Sequence, residues 1–173
     1  VLRTFTLRST EGFAETFGPG LVARINGEAP GVRLRFVPKV SKDSAALREG
    51  TVDLETGVVG QATSPELRHS KLFEDRFVGV VRPGHSLSKG RVTPARYASG
   101  RHVGVSRRGL EKGTVDAALA QLGLNREVAT FVGGYSAAVA FARASDLVAS
   151  VPERHTAALR AGMHSFRLPF AIP

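Results

Sequence analysis

Ser9 and Thr10 close an apolar run and stand just ahead of a helical pattern. Hydroxyls at the C-terminal end of a strand, where a helix opens, sit where open α/β sheets take ligands. The free backbone N–H groups there favour an anion. The plainer role for the same pair is a helix cap. Ser106 has the matching placement in the second half, just after the short strand His102–Val105. Gly133, Gly134, Tyr135 and Ser136 stand between another strand and helix. Their glycines would let backbone amides approach a ligand, and Tyr135 offers a hydroxyl; a tight turn with a packed aromatic explains them equally. Phe77 could line a cleft or belong to the core. His102 could titrate or donate in a cleft, or serve the structure alone.

Gly134-Tyr135-Ser136-Ala137 also fits a nucleophile elbow in which Ala replaces the last glycine. Asp146 and His155 follow in hydrolase order. Asp146 is only ten residues beyond Ser136, however, at the end of the same helix, and no glycine run precedes it to form an oxyanion hole. A hydrolase using Ser136 is therefore the lesser alternative, and no catalysis is expected. The five histidines, His69, His85, His102, His155 and His164, show no paired metal spacing, so no metal is expected. No phosphate-loop or dinucleotide pattern appears, and no cofactor is expected.

These groups must be held by a globular chain of 173 residues, 42% hydrophobic and 23% charged. That length suits one ordinary domain or two small lobes. No run approaches the roughly 18 apolar residues of a membrane span. The N-terminal VLRTFTLRSTEGF carries arginines but no apolar signal core, so export is not indicated. With no cysteines, disulfides, thiolate metal sites and cysteine nucleophiles are excluded. The net charge of +9 is uneven: residues 1–74 hold ten Lys/Arg against nine acids, and residues 75–166 hold thirteen against six. A basic half could meet nucleic acid or attract an anion. No aromatics interleave with the arginines as a stacking platform would need, so a solvated basic surface is the simpler account.

Leu2–Leu7 reads as a buried strand. Phe13, Phe17, Leu21 and Ile25 recur every four residues and give one apolar helix face; Pro19 within it should bend the helix or start a new one. Val32, Leu34 and Phe36 alternate with Arg33 and Arg35, as on an edge strand with one wet face. The stretch Leu47–Gly60, LREGTVDLETGVVG, opens as the tail of a short helix stopped by Gly50. A buried strand through Val52, Leu54, Val58 and Val59 should follow. Asp53 and Glu55 lie inside that apolar run, so each must reach the strand's end, find a donor or face a cleft. The order β-α-β-α-β implies a parallel sheet with right-handed crossovers.

Gln61–Ser70 reads as a loop, Leu72–Val81 as a long strand, and Pro83-Gly84-His85 as a turn. Beyond it come a helical turn over Val92–Tyr97, the His102–Val105 strand and a polar loop over Gly109–Gly113. A helix over Val115–Leu122 is stopped by Gly123. Then follow a strand over Val128–Val132, a helix over Ser136–Arg143 and a strand over Leu147–Val151. A helix to about Leu159 and a last strand over Phe166–Phe170 complete an α/β second half.

Several of these landmarks fall in one order. They are Ser9-Thr10, Pro19 within the first helix, Pro30-Gly31-Val32 and Gly50-Thr51-Val52-Asp53-Leu54. Leu72 through Pro83-Gly84-His85-Ser86-Leu87, Leu122-Gly123-Leu124 and Ala149-Ser150-Val151-Pro152 complete the series. Together they resemble the effector-binding domain of LysR-type transcriptional regulators over essentially the whole chain. Two positions depart from the pattern. Glu55 stands where a small apolar residue is common, and Asp146 where glycine is common.

The resemblance implies a two-lobed α/β fold of the type 2 periplasmic-binding-protein kind. Each lobe would be a mostly parallel sheet flanked by helices, and two crossover strands, near Glu74–Val80 and Phe166–Phe170, would join them. Lobe I would be residues 1–73 completed by 167–173, and lobe II residues 74–166. The helix-turn-helix DNA-binding domain would lie outside this chain. A small effector, expected to be a carboxylate, would bind between the lobes through Ser9, Thr10, Phe77, His102, Ser106, Gly134, Tyr135 and Ser136, and would alter DNA binding by the full-length protein. Implied partners are that effector and further copies of the chain, as a dimer or, in the full-length protein, a tetramer. DNA would be met only through the separate domain, with no membrane, in the cytoplasm. A solute-binding protein of the same fold is the other alternative.

Overall fold

The structure, a computed structural model, describes residues 2–41, 43–59, 64–106 and 109–172. Gly60 and the start of the Gln61–Ser70 loop lie outside the described residues, as do Lys42, Arg107, Arg108 and Pro173. The chain divides into two compact units, Val1–Glu74 and Asp75–Pro173.

In the first unit, β1 (Arg3–Ser9) pairs in parallel with β2 (Val32–Pro38), from Arg3↔Val32 to Ser9↔Pro38. On its other side β1 pairs in parallel with β3 (Leu54–Glu55), giving the order β2-β1-β3. The alternation of Val32, Leu34 and Phe36 with arginines thus marks an edge strand, as expected. The crossover helix α1 (Glu11–Glu28) runs through Pro19 without restarting. Its buried side is Phe13 and Gly18, against which the Phe36 ring lies, while Leu21 and Val22 stay more than a third exposed.

The short helix α2 (Ala45–Arg48) leads to Gly50 at φ +73°. That left-handed conformation is nearly free for glycine and ends the turn where the sequence predicts. The strand that follows is far shorter than expected. Val52 is buried, but β3 holds two residues, and Val58 and Val59 are exposed. Their apolar character indicates a buried strand, yet among the described residues no neighbouring strand pairs with them.

The second unit combines parallel and antiparallel pairing. Strands β5 (Arg101–Val105) and β6 (Glu127–Val132) are parallel. β4 (Phe77–Val81) runs antiparallel to both β7 (Ala149–Pro152) and β8 (His164–Arg167). A parallel bridge between His102 and Val148 links the two groups, so the strands follow one another as β6-β5-β7-β4-β8. Period-two alternation divides β4 between two cores. Val78 and Val80 pack with Val103, Val151 and the buried face of α5 (Tyr135–Arg143). Val81 packs with Leu87, Tyr97 of α3 (Pro94–Ala98) and Leu119 of α4 (Thr114–Gln121). Each fully buried side chain of this size contributes about 1.5–3 kcal/mol.

Four expectations shift here. The long strand from Leu72 shortens to Phe77–Val81, because Leu72 is exposed and only the second half finds partners. Residues 153–162 form successive turns rather than a helix. The last strand lies at His164–Arg167, not Phe166–Phe170. Beyond it, Leu168, Phe170 and Ile172 pack on the core of the second unit, although the tail was expected to complete the first lobe.

Candidate functional site

At the C-terminal end of β1 the chain turns from strand to helix. Ser9 is buried, and its carbonyl accepts from the Lys39 N–H at 3.1 Å. Thr10 is the N-cap of α1, its hydroxyl accepting from the Phe13 N–H at 3.4 Å. The cap expected for this pair is therefore present. Beside it lies a cluster of charges that the sequence shows only in part. Arg8 is buried and donates through Nε to Glu55 at 2.7 Å, while Lys39 pairs with the same carboxylate at 2.6 Å. Arg8 also donates to the Asp43 carbonyl. Asp53 accepts from the Thr6 N–H at 2.8 Å. Both acids of the Val-Asp-Leu-Glu run thus find donors, as a poorly solvated charge requires.

In the second unit a cavity of about 60 Å³ opens where β5 and β6 end and α4 and α5 begin. This is the crevice outside the carboxyl ends of parallel strands where such sheets bind ligands. Phe77, Val105, Phe131 and Tyr135 supply apolar wall. The Phe77 and Tyr135 rings meet edge-on at 6.1 Å between centroids. Gly104 lies under the Phe131 ring, where a Cβ would come within 2.7 Å of Cδ1.

The polar part of the lining is Ser150, Thr114, Glu111, Asp116 and Arg126. Arg126 donates through Nε to Asp116 Oδ1 at 2.8 Å and through an Nη to Oδ2 at 3.2 Å. Asp116 also accepts from the Gly113 N–H at 2.9 Å, which caps the first turn of α4. Burial pushes the Asp116 pKa up, but the bonds from Arg126 and Gly113 outweigh it and hold the carboxyl below its ordinary range. Burial likewise works against the Arg126 charge, and the Asp116 carboxylate overcomes it, so the guanidinium pKa is raised. Beneath them Tyr97 and Ser150 share a hydroxyl–hydroxyl bond at 2.5 Å.

Of the residues the sequence singles out, the cavity brings together Phe77 and Tyr135. Ser106 follows β5 directly and donates its N–H to the Val132 carbonyl at 2.9 Å. Gly134 is the N-cap of α5, and Ser136 lies in its first turn. His102 is elsewhere. It is fully buried against Tyr97, and its Nε2–H donates to the Tyr97 carbonyl at 2.9 Å. Its Nδ1 is buried with no hydrogen-bond partner among the described residues. Burial pushes its pKa down to about 4. His102 is a core histidine, and it does not line the cavity.

The hydrolase order is not realised as a triad either. His155 bonds through Nδ1 to Asp75 at 2.6 Å, while Asp146 pairs with Arg82 at 2.5 Å and is mostly exposed. Arg126, Asp116, Gly104 and Ser150 are among the cavity residues that sequence reasoning did not select. Ser150 stands in the Ala-Ser-Val-Pro landmark, and an acid in a helix's first turn is a capping signal. Nothing local marks Arg126. Among the described residues no helix is long and apolar enough to cross a membrane, and no three His, Asp or Glu side chains are grouped to hold a metal ion.

Two α/β units, each with parallel strands and its helices opening at the strand ends, define the class: the periplasmic-binding-protein-like architecture of regulatory domains. The LysR substrate binding domain model matches residues 2–173, and the chain belongs to that family. It is 29% identical over 153 residues to the HTH-type transcriptional activator NahR of Pseudomonas putida, covering 88% of this chain and 51% of that protein. The chain thus spans about half the length of the curated relatives it matches. A probable transcriptional regulator from Pseudomonas aeruginosa superposes with a TM-score of 0.84 at 34% identity, over all of this chain and 59% of that one. The effector binding domain of QuiR, solved in complex with shikimate, has the same fold, with a TM-score of 0.69 at 14% identity over 96% of this chain and 81% of that one.

Proposed function

We propose that this chain is the effector-sensing part of a LysR-type transcriptional regulator. It would bind a small anionic molecule, expected to be a carboxylate, and catalyse nothing. The observation that carries the reading is the cavity at the ends of β5 and β6, with Phe77 and Tyr135 in its wall. Within the first unit, the N-terminus of the 18-residue helix α1 and its cap Thr10 favour an anion. Effector contacts are assigned to Ser9, Thr10, Phe77, Ser106, Gly134, Tyr135 and Ser136. The lobes are taken as about 1–73 and 74–166.

Bound effector would act on the full-length protein, as a cytoplasmic homodimer or tetramer whose DNA contacts lie in a separate domain. Such an effect requires different affinities for two conformations, not mere occupancy. The relatives named as transcriptional activators and the shikimate-bound domain support this reading.

A thermal-shift screen against small carboxylates, aromatic acids and amino acids tests it. A ligand at a hundredfold excess over its dissociation constant should stabilise the fold by about 2.7 kcal/mol, and Thr10→Ala and Tyr135→Phe should weaken that response. Turnover of an ester lost on Ser136→Ala would instead favour the hydrolase.

A further inference from the structure

We propose that Tyr97 is a positioning residue: it donates to the Ser150 oxygen and so turns the Ser150 hydroxyl proton into the cavity of the second unit, toward an acceptor atom of the effector. This rests on the effector reading above and adds to it the polarity of one contact.

The direction of a buried hydroxyl chain carries the inference. Tyr97 is fully buried, and its hydroxyl lies 2.5 Å from that of Ser150, where either oxygen could donate. The neighbour on the other side decides between them. Arg126 stands within hydrogen-bonding reach of the Tyr97 hydroxyl, and a guanidinium has donors only. Toward Arg126 the Tyr97 oxygen is therefore an acceptor. Asp116 holds the guanidinium in place through two further N–H bonds.

Suppose that Ser150 also donated to Tyr97. The phenolic proton would then have no acceptor among the described residues, because Ser150 is the partner of that hydroxyl besides Arg126. A buried donor left unmade loses its hydration without return. The opposite direction serves every group. Tyr97 donates to Ser150, and the Ser150 proton is left for the cavity that Ser150 lines. Burial keeps the phenol protonated. A phenol is a stronger donor than an aliphatic hydroxyl, and the guanidinium beside it polarises it further. Ser150 has no second partner for its hydroxyl among the described residues, so its proton is available.

The four residues come from separate parts of the chain. Tyr97 is on α3, Asp116 on α4, Arg126 just before β6 and Ser150 on β7. What they build is a fixed donor in the cavity wall. The ligand class that follows carries an acceptor with no proton of its own, such as a carbonyl, sulfoxide or ether oxygen, at the end that enters. This contact needs no charge on the ligand.

Backbone-amide NMR shifts of the whole chain, titrated in parallel with dimethyl sulfoxide and dimethyl sulfide, test this. The sulfoxide differs from the sulfide by one acceptor oxygen and has no proton to donate, so any hydrogen bond it makes with Ser150 is one it accepts. It should move the amides of Ser150 and Gly104, both in the cavity lining. Ser150→Ala and Tyr97→Phe should each weaken sulfoxide binding about three- to tenfold, the worth of one net hydrogen bond, and leave sulfide binding unchanged. A purely structural role for Tyr97 would weaken both probes alike and would overturn the proposal. Sulfoxide binding indifferent to Ser150→Ala would overturn it too. If Tyr97→Phe does not fold, the wild-type spectrum decides: the Tyr97 hydroxyl proton should be deshielded and slow to exchange, and a slow Ser150 hydroxyl in its place would overturn the proposal. Silence of both probes at Ser150 and Gly104 would overturn it while carboxylate hits in the thermal-shift screen leave the effector reading standing. Silence in that screen as well would count against both.

Discussion

The Arg126 guanidinium grips both carboxylate oxygens of Asp116, with 7% and 16% of the two side chains exposed. The pair ties the chain just before β6 to the first turn of α4. Breaking it from one side strands the other charge, which for a buried pair costs roughly 3–5 kcal/mol. Arg126→Met should therefore lower stability toward that range in urea unfolding. Arg126→Met with Asp116→Leu should recover a clear part of the loss, because no lone charge remains.

His102 gives a pH dependence of known sign. Its folded pKa is about 4 against an ordinary 6.5, so the fold favours the neutral ring. The contribution is complete above pH 6.5. As pH falls toward 4 the unfolded chain takes up a proton that the folded chain refuses, and stability is lost. The loss approaches about 3 kcal/mol at 1.36 kcal/mol per unit. Urea midpoints between pH 7 and 4 should fall, and His102→Gln should flatten that slope.

Glu55 pairs with both Arg8 and Lys39 in the first unit. Replacing it by Ala leaves two largely buried cations beside each other. Chemical unfolding should show a loss of roughly 2–4 kcal/mol, by the same logic of a broken buried pair. Arg8→Met together with Glu55→Leu should cost less than Glu55→Ala.

Gly79 faces Phe166 across the β4–β8 pairing. A Cβ at Gly79 would run into the Phe166 ring. Gly79→Ala should cost roughly 1–3 kcal/mol as overpacking. Combining it with Phe166→Leu should lower the melting temperature less than Gly79→Ala alone, since the shorter side chain clears the added methyl.

What could be read from the sequence was what local rules decide. Gly50 ends a helix because only its φ is required, and Asp53 and Glu55 were bound to find donors wherever the fold took them. The parallel pairing of the first three strands followed from alternating strand and helix patterns, while their spatial order did not. Val58, Val59 and Leu72 misled because strand formation needs a partner, and apolar residues without one stay exposed. The antiparallel β7-β4-β8 group depends on pairings between distant segments, which period and propensity do not encode. Tyr135 and Phe77 were accessible as strand-end and helix-start residues. Arg126 was not, because its role exists only once β6 brings it over Asp116.

The ring of Phe131 rests on the missing side chain of Gly104, so the two positions form a single unit of inheritance. A methyl at 104 is tolerable only if something smaller than phenylalanine stands at 131, and that exchange would also redraw one wall of the cavity. Across divergent members of the family the two sites should drift together. A lineage that changes both has in the same step acquired a differently shaped receptor.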